Sequence, residues 1–301
     1  MANKKLRNSR VAASDRIFYA IVYTIITLIV AVVLYPVVFT LSASFSSGPA
    51  VTAGRVLLWP VDLSIDGYKL ALANQMVYTG YLNTIFYVFT ETTINTVMTV
   101  LLAYALSRRD FSGKKAFDLY CIFIMFVGGG LIPTYVLVSK LGLTNTRMGI
   151  IILGCVSLSN MVLVRTYFQT SIPGELLDSA RLDGASDFYY LTQIAIPLAK
   201  PVLSVIILYS VVGSWNSYMT PLLYLRDREL FPLQLVLRSI LKATKVNAGD
   251  FQDSQILSMM QQAADAMKYA LIVVSTVPML VFYPFVQKFF EKGVMVGALK
   301  G

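Results

Sequence analysis

The chain has 301 residues, of which 56% are hydrophobic and 14% are charged. A soluble domain has about 45–50% apolar and about 25% charged residues, so this composition excludes an ordinary soluble protein and predicts a membrane domain. The net charge of +9 does not indicate a nucleic-acid-binding protein, because the basic residues are scattered between apolar blocks rather than gathered on one face.

Six apolar windows are long enough to cross a bilayer, which takes about 20 residues at a rise of about 1.5 Å each. They lie at about 17–41, 81–106, 117–138, 148–168, 202–225 and 269–287. The first window follows a basic tail and so also resembles a secretory signal. Because the apolar part of a signal is only about 7–15 residues long, we predict an uncleaved span instead.

The distribution of lysine and arginine predicts the orientation of these spans. With six spans both termini share a side, and placing them inside puts 15 of the 25 basic residues there. We therefore predict a multi-pass protein of the cytoplasmic membrane, with a cytoplasmic tail at 1–16, a membrane domain at 17–291 and a second cytoplasmic tail at 292–301. Caps and short helices are expected in the two longer outer segments, 46–80 and 226–268. No internal repeat is evident, which indicates one half of a pore rather than a complete carrier.

Glu91 is the only charged residue in the second window. A carboxyl group is costly in hydrocarbon, so we expect it to face the interior of the protein. On a helix it shares a face with Thr84 and Asn95. Two interpretations stay open: Glu91 and Asn95 line a substrate pathway, or Glu91 forms a hydrogen bond that holds a neighbouring span or a partner subunit.

Three consecutive glycines, Gly128, Gly129 and Gly130, interrupt the third window. Glycine allows either close approach of two helices or a break in the helix at membrane depth. We favour close packing.

Prolines and glycines bracket a short helix in the loop at 171–201, which follows the fourth window. Acidic side chains are unusual on an inner loop, and this one carries Glu175, Asp178, Asp183 and Asp187. We interpret the loop as a contact surface. Gly184 can adopt a positive φ, which suits a bend between two short helical pieces.

Polar side chains form two adjoining stripes along the fifth window. One contains Ser210, Ser214, Ser217 and Tyr218, and the other contains Tyr209, Gly213, Asn216 and Thr220. Hydroxyls, amides and tyrosine rings suit a sugar, so Tyr209, Ser214, Asn216 and Tyr218 are candidates for a substrate pathway. The alternative is that these small polar residues hold helices together.

The loop at 171–201 resembles the hallmark of the inner-membrane permeases of ABC importers, which reads Glu-Ala-Ala, three residues, Gly, nine residues, Ile, one residue and Leu-Pro. The matching residues are Asp178, Ser179, Ala180, Gly184, Ile194 and Pro197. Asp replaces Glu, Ser replaces the first Ala and Ile196 replaces Leu. These changes are chemically mild, although the shorter carboxylate of Asp178 would weaken or reposition its pairing.

This resemblance implies the type I ABC importer permease fold, an all-α integral membrane protein of six transmembrane helices with a cytoplasmic coupling helix. The coupling helix would sit in a groove of an ATPase, with Asp178 able to pair with a basic residue there and Glu175 and Asp183 beside it.

Further matches resemble the carbohydrate branch of these permeases, in particular the second permease of maltose-type importers. They are Asn83-Thr84, Ala103 to Arg108, Phe111 to Lys115, Asn216 beside Trp215, and the tail from Gly293 to Gly301. The resemblance implies carbohydrate cargo, with an oligosaccharide favoured. The run from Gly129 to Tyr135 resembles a subgroup that handles oligosaccharides and acidic polysaccharide fragments. In the tail, Gly297, Lys300 and Gly301 are candidates for contact with the ATPase, the alternative being a frayed terminus.

The chain lacks the groups that catalysis would need. No Gly-x4-Gly-Lys-Ser/Thr is present, histidine is absent, and Cys121 and Cys155 lie in apolar blocks. We therefore expect no catalytic, cofactor or metal site, with ATP and Mg²⁺ bound by partner subunits. The resemblance implies as partners a second homologous permease, two ATPase subunits and an extracellular substrate-binding protein. Alternatives are an importer of another polar solute, an ion-coupled secondary carrier, and a membrane scaffold without transport activity.

Overall fold

The computed structural model describes residues 13–243 and 254–298, and their regular elements are helices joined by short turns. One isolated antiparallel bridge pairs Ser46 with Leu63. The α-helices are α1 (Ala13–Ser44), α2 (Gly48–Thr52), α3 (Asp66–Ala73), α4 (Gln75–Ser107), α5 (Lys114–Phe126), α6 (Leu131–Lys140), α7 (Arg147–Gly154), α8 (Leu158–Thr170), α9 (Glu175–Leu182), α10 (Asp187–Tyr190), α11 (Ile196–Leu198), α12 (Lys200–Trp215), α13 (Met219–Tyr224), α14 (Leu233–Ala243) and α15 (Ser254–Ala298). A π-helical turn at Leu191–Ala195 joins α10 to α11, and a 3-10 turn lies at Arg228–Leu230.

The chain divides into two compact units, residues 1–70 with 246–273 and residues 71–245 with 274–301. In the first unit, a small cluster of buried side chains gathers Ala43, Ala50 and Val56 against Tyr269. The unit also contains α1, whose apolar side chains are almost all exposed from Ile17 to Val38, with Val32 72% exposed. Such a surface is unstable in water and requires lipid or another protein.

The second unit is built around α4, which contacts α7, α8, α12 and α14. Its helix begins at an Asn74 cap, whose side chain accepts a hydrogen bond from the Met76 amide. Met161, Val164 and Ile206 are fully buried in the main cluster beside Ala103. Helices α8 and α12 thus bury apolar side chains against α4.

Among the described residues, α1, α4 and the 261–284 part of α15 are each long and apolar enough to cross a membrane. The number of candidate spans rises to six if each of three bent helix pairs is counted as one span. The pairs are α5 with α6 at 110°, α7 with α8 at 41°, and Asp187–Leu198 with α12 at 81°. The expected short helices are present as α2, α3 and α14.

The interpretation of the three glycines as a packing site is wrong. The helix ends at Phe126 and restarts at Leu131, and Gly130 has a φ of +82°. A Cβ on Gly128 or Gly129 would have no neighbour within 4 Å. The glycines therefore form the break itself, since they allow a backbone turn that other residues would resist.

The fifth window, expected as one helix to residue 225, ends as a helix at Trp215. Asn216 caps this end, and the chain restarts as α13 at Met219. Pro221 has no amide hydrogen and cannot donate to the carbonyl of Ser217, so an uninterrupted helix would be destabilised at this point.

A shielded ion pair joins α5 to α8. Nη1 of Arg165 lies 2.8 Å from Oδ1 of Asp118, and the two side chains are 20% and 18% exposed. We expect Asp118→Ala to destabilise the protein by more than the about 1 kcal/mol of an exposed pair and by less than the about 3–5 kcal/mol of a buried one. Combining it with Arg165→Met should recover part of the loss, because no unpaired charge remains. Thermal unfolding of the purified protein in detergent measures both, and equal losses in the single and double variants would contradict this account.

Candidate functional site

A cavity of about 350 Å³ lies between α4, the break that separates α7 from α8, and α12. Nine of its thirteen lining residues carry a polar side-chain group, although the cavity lies among strongly apolar helices. The lining residues are Glu91, Asn95, Ile150, Leu153, Gly154, Ser157, Asn160, Tyr209, Ser210, Gly213, Ser214, Ser217 and Thr220. None of these described residues is a lysine or an arginine.

Glu91 projects from α4 into this cavity and is bound to α12. The Ser214 hydroxyl donates a hydrogen bond of 2.5 Å to Oε2 of Glu91. Gly154 leaves room for the carboxyl group, because a Cβ at that position would lie 3.2 Å from Cδ of Glu91. The Ser214 hydroxyl therefore holds the Glu91 carboxyl group on one side, and the lack of a side chain at Gly154 leaves space for it on the other.

Asn95, one helical turn further along α4, joins the same three elements. Its Nδ2 donates to the Gly154 carbonyl at 3.1 Å, and its Oδ1 accepts from the Ser210 hydroxyl at 3.2 Å. Because α7 ends at Gly154, that carbonyl needs a partner from outside its own helix. Asn95 supplies the partner and thereby ties α4 to the break and to α12.

The structure brings together four of the six residues proposed for a substrate pathway, namely Glu91, Asn95, Tyr209 and Ser214. It does not bring Asn216 or Tyr218 to the cavity. Nδ2 of Asn216 donates back to the Val212 carbonyl at 2.9 Å, and the Tyr218 ring lies 4.8 Å from the Arg238 guanidinium.

Two lining residues, Ser157 and Asn160, were missed because the fourth window reads as one continuous apolar span. Ser157 caps α8 by accepting a hydrogen bond from the Asn160 amide at 3.3 Å. A serine at position 157, three residues after Gly154, is the kind of helix-start signal that could have revealed the break.

Asn83 and Thr84, on the first half of α4, hold the segment that precedes α14. Nδ2 of Asn83 donates to the carbonyls of Glu229 and Phe231 at 2.6 and 3.1 Å, and the Leu233 amide donates to the Thr84 hydroxyl at 2.8 Å. Although Thr84 shares a helix face with Glu91, it therefore serves this contact and does not line the cavity.

The short helix α9 has one face toward the protein and one toward solvent. Ala180 is buried in the main cluster and Leu177 packs against it, whereas the side chains of Glu175, Asp178, Ser179 and Asp183 are exposed. Two apolar side chains are exposed beside these acidic groups: Leu182 is 89% exposed and Phe188 is 71% exposed. An exposed apolar pair beside acidic groups is typical of a protein contact surface.

Gly184 forms the bend that its sequence position predicts. Its φ is +79°, and its amide donates to the Arg181 carbonyl at 3.0 Å. Beyond the bend, α10 begins with a Ser186 cap. Further along, Ile194 packs against the main cluster, and Pro197 is exposed.

Of the three candidate residues in the C-terminal tail, Gly297 is the one that the structure describes. Gly297 lies in the last turn of α15, so the helix continues through most of the segment expected as a tail. Lys300 and Gly301 lie outside the described residues. No group of three His, Cys, Asp or Glu side chains that could hold a metal ion is present in residues 13–243 and 254–298.

The chain is similar in sequence and in structure to known membrane transport proteins. The family profile described as "Binding-protein-dependent transport system inner membrane component" matches residues 2–296. A bacterial ABC transporter involved in the import of the acidic polysaccharide alginate has a chain of similar structure, with a TM-score of 0.85 and 36% identity, covering 93% of this chain and 98% of that one.

Two curated permeases match over nearly their whole length. The polygalacturonan/rhamnogalacturonan transport system permease protein YtcP of Bacillus subtilis is 32% identical over 287 residues, covering 95% of this chain and 99% of that protein. The maltodextrin transport system permease protein MalD of Streptococcus pneumoniae is 27% identical over 299 residues, covering 98% of this chain and 100% of that protein.

Proposed function

We propose a function that follows from the family to which this chain belongs, the binding-protein-dependent transport system inner membrane components. The chain forms half of the pathway by which an ATP-driven importer moves a carbohydrate. It is a permease subunit and not itself an enzyme. The favoured cargo is an oligosaccharide, delivered by an extracellular binding protein. The sugar-import permeases YtcP and MalD support this choice, since they match nearly the whole chain.

The chemistry of the cavity is the observation that carries this function. Hydroxyls of Ser210, Ser214 and Ser217, the amide of Asn95 and the ring of Tyr209 meet in one space among apolar helices. A sugar requires hydrogen-bonding groups around its rim and an apolar surface against its ring face, and a cavity of this kind offers both. Tyr209 is 56% exposed and is available for such a contact.

In the membrane, each bent helix pair counts as one span, which makes six spans in a domain at 17–291 with both termini cytoplasmic. The excess of lysine and arginine on that side supports this orientation. The flanking segments at 1–16 and 292–301 are then cytoplasmic tails. A broken helix at membrane depth is tolerated where it lines a cavity, as the break after Gly154 does.

The complex contains a second homologous permease and two ATPase subunits, on which ATP and Mg²⁺ are bound. The coupling surface on this chain is α9 with its flanks, namely Glu175, Asp178, Ser179, Ala180, Asp183, Gly184, Ile194 and Pro197. Leu182 and Phe188 add the apolar part of the contact, and Gly297, Lys300 and Gly301 of the tail reach the ATPase pair. Closure of the ATPases displaces α9 and moves the spans as rigid bodies.

Co-purification tests this assembly. The tagged chain, expressed in the organism that makes it and purified in mild detergent, should retain a second permease and two ATPase subunits at fixed stoichiometry. A stable solitary chain that catalyses proton-driven uptake would instead identify an ion-coupled carrier.

A further inference from the structure

Four charged side chains connect the end of α4 to α9 and α10, and we refer to Arg108, Asp110, Arg181 and Asp187 as the four-charge cluster. Nε and Nη2 of Arg108 donate to the two carboxylate oxygens of Asp110 at 3.1 and 3.0 Å. Nη2 of Arg181, on α9, donates to Oδ2 of Asp110 at 2.7 Å. Asp110 thus holds an arginine from α4 and an arginine from α9 at the same time.

Asp187, the first residue of α10, closes the cluster from the other side. Its Oδ1 lies 3.3 Å from Nη2 of Arg108 and 3.4 Å from Nη2 of Arg181. The two arginines and two carboxylates balance in charge. Because Asp110 accepts hydrogen bonds from Arg108 and from Arg181, the pKa of its carboxyl group lies well below its ordinary value.

Arg108 is the fixed member of the cluster, with only 9% of its surface exposed. Its Nη1 donates to the Tyr104 hydroxyl at 3.1 Å, and its guanidinium lies 5.5 Å from the Tyr104 ring centre. All three guanidinium nitrogens therefore have partners. The other members are 44–60% exposed, so each pair taken singly contributes little to folding stability. The four-charge cluster therefore serves mainly to fix the position of α9 and α10 relative to the end of α4, and it adds little to folding stability.

A cavity of about 530 Å³ lies between α9 and the adjoining ends of α4 and α8, and Phe168, Leu177 and Asp178 are among its lining residues. Beside this space, the four-charge cluster connects α9 to the end of α4 through ion pairs, in addition to the apolar contacts that Ala180 and Leu177 make with the main cluster. α4 runs without a break from the cluster to Glu91, a distance of about 25 Å at about 1.5 Å per residue. A movement received at Arg108 would reach the polar cavity through a single rigid helix.

We propose that the four-charge cluster is the positioning link through which displacement of α9 is passed to α4 and so to the polar cavity. This inference rests on the proposed function, because it presumes that an ATPase moves α9. Arg108, Asp110, Arg181 and Asp187 are positioning residues in this account, and none of them contacts the cargo.

The test uses the complete importer in proteoliposomes and measures sugar molecules moved per ATP hydrolysed. Asp110→Asn keeps the shape of the side chain but removes the charge shared by the two arginines. We expect it to assemble normally and hydrolyse ATP while transport per ATP falls about tenfold, which is a typical coupling between two sites. Asp110→Glu should restore most of the ratio. The matched control is Asp62→Asn, which breaks an exposed pair with Arg55 at 3.0 Å and should leave the ratio unchanged.

An unchanged ratio in Asp110→Asn would overturn the inference. Loss of the ATPase subunits from the Asp110→Asn complex would also overturn it, because the cluster would then serve only to support the docking surface. If the unmodified complex moved no sugar at all, the proposed function itself would fail, and this outcome is distinct from the other two.

Discussion

Replacing Leu182 with aspartate is expected to release the ATPase subunits from this permease. Leu182 is 89% exposed at the end of α9, and Phe188 lies exposed beyond the Gly184 bend. If these side chains are the apolar centre of the contact, a buried carboxylate there would cost about 2–4 kcal/mol, a loss in affinity of about 30- to about 700-fold. The ratio of ATPase to permease after size-exclusion chromatography measures the effect.

Leu57→Asp is the matched control, because it places the same charge on a leucine that is 64% exposed in the segment between α2 and α3. It should keep its ATPase subunits. Full retention of the ATPase by Leu182→Asp would show that α9 does not form the contact, and the coupling surface would have to lie elsewhere.

The second large effect is expected from Glu91→Leu. This change removes the acceptor for the Ser214 hydroxyl and places an apolar side chain in the polar cavity. Loss of a site's hydrogen-bonding group leaves its partners unpaired, so we expect transport to fall about 10- to 100-fold at unchanged assembly. Uptake of labelled oligosaccharide by proteoliposomes, measured over a range of concentrations, separates weaker binding from slower turnover.

Two further variants show which property of Glu91 is responsible for that result and whether the effect is specific to the cavity. Glu91→Gln keeps a side-chain oxygen for Ser214, so retained transport in this variant would assign the effect to the hydrogen bond rather than to the charge. Thr92→Val changes the neighbouring residue, which lines a separate apolar groove beside Trp215, and it should transport normally. Normal transport by Glu91→Leu would mean that the cavity does not contribute to the pathway.

The continuous elements were predictable because their signals are local. Long apolar runs predict α1 and α4, and the structure has both, with ends that lie one to six residues outside the apolar windows. Proline and glycine around 173–184 predict a short helix followed by a bend, and α9 with Gly184 confirms it. The grouping of Glu91 with Asn95 follows from helical spacing, which holds wherever the helix is unbroken.

The breaks were not predictable from hydropathy, because a bent pair of helices and a straight span have the same composition. Asn216 and Tyr218 were grouped with residues of α12 on the assumption that the fifth window continues as one helix, whereas the helix ends at Trp215. Beyond that end, Ser217 and Thr220 line the cavity and Asn216 and Tyr218 do not, because helical spacing no longer sets which side chains share a face. The same loss of register hid Ser157 and Asn160, which line the cavity only because α7 and α8 are separate helices.

The charged residues around α9 show another limit of prediction from sequence, because their pairing depends on the tertiary fold. Arg108 and Asp110 are close in sequence, but Arg181 and Asp187 approach them only through the tertiary fold. No spacing rule connects residues about 70 positions apart. The acidic residues of the loop were interpreted as one contact surface, yet the carboxylate of Asp187 also pairs with Arg108 and Arg181 while remaining 60% exposed.

In the proposed function, this chain moves sugar only as part of an ATP-driven complex. Uptake of a labelled oligosaccharide into proteoliposomes that contain the purified complex, with the binding protein outside and ATP enclosed within, tests this dependence. We predict uptake that requires both ATP and the binding protein and that is insensitive to a proton ionophore. Uptake by the permease alone, without ATP and abolished by the ionophore, would contradict it.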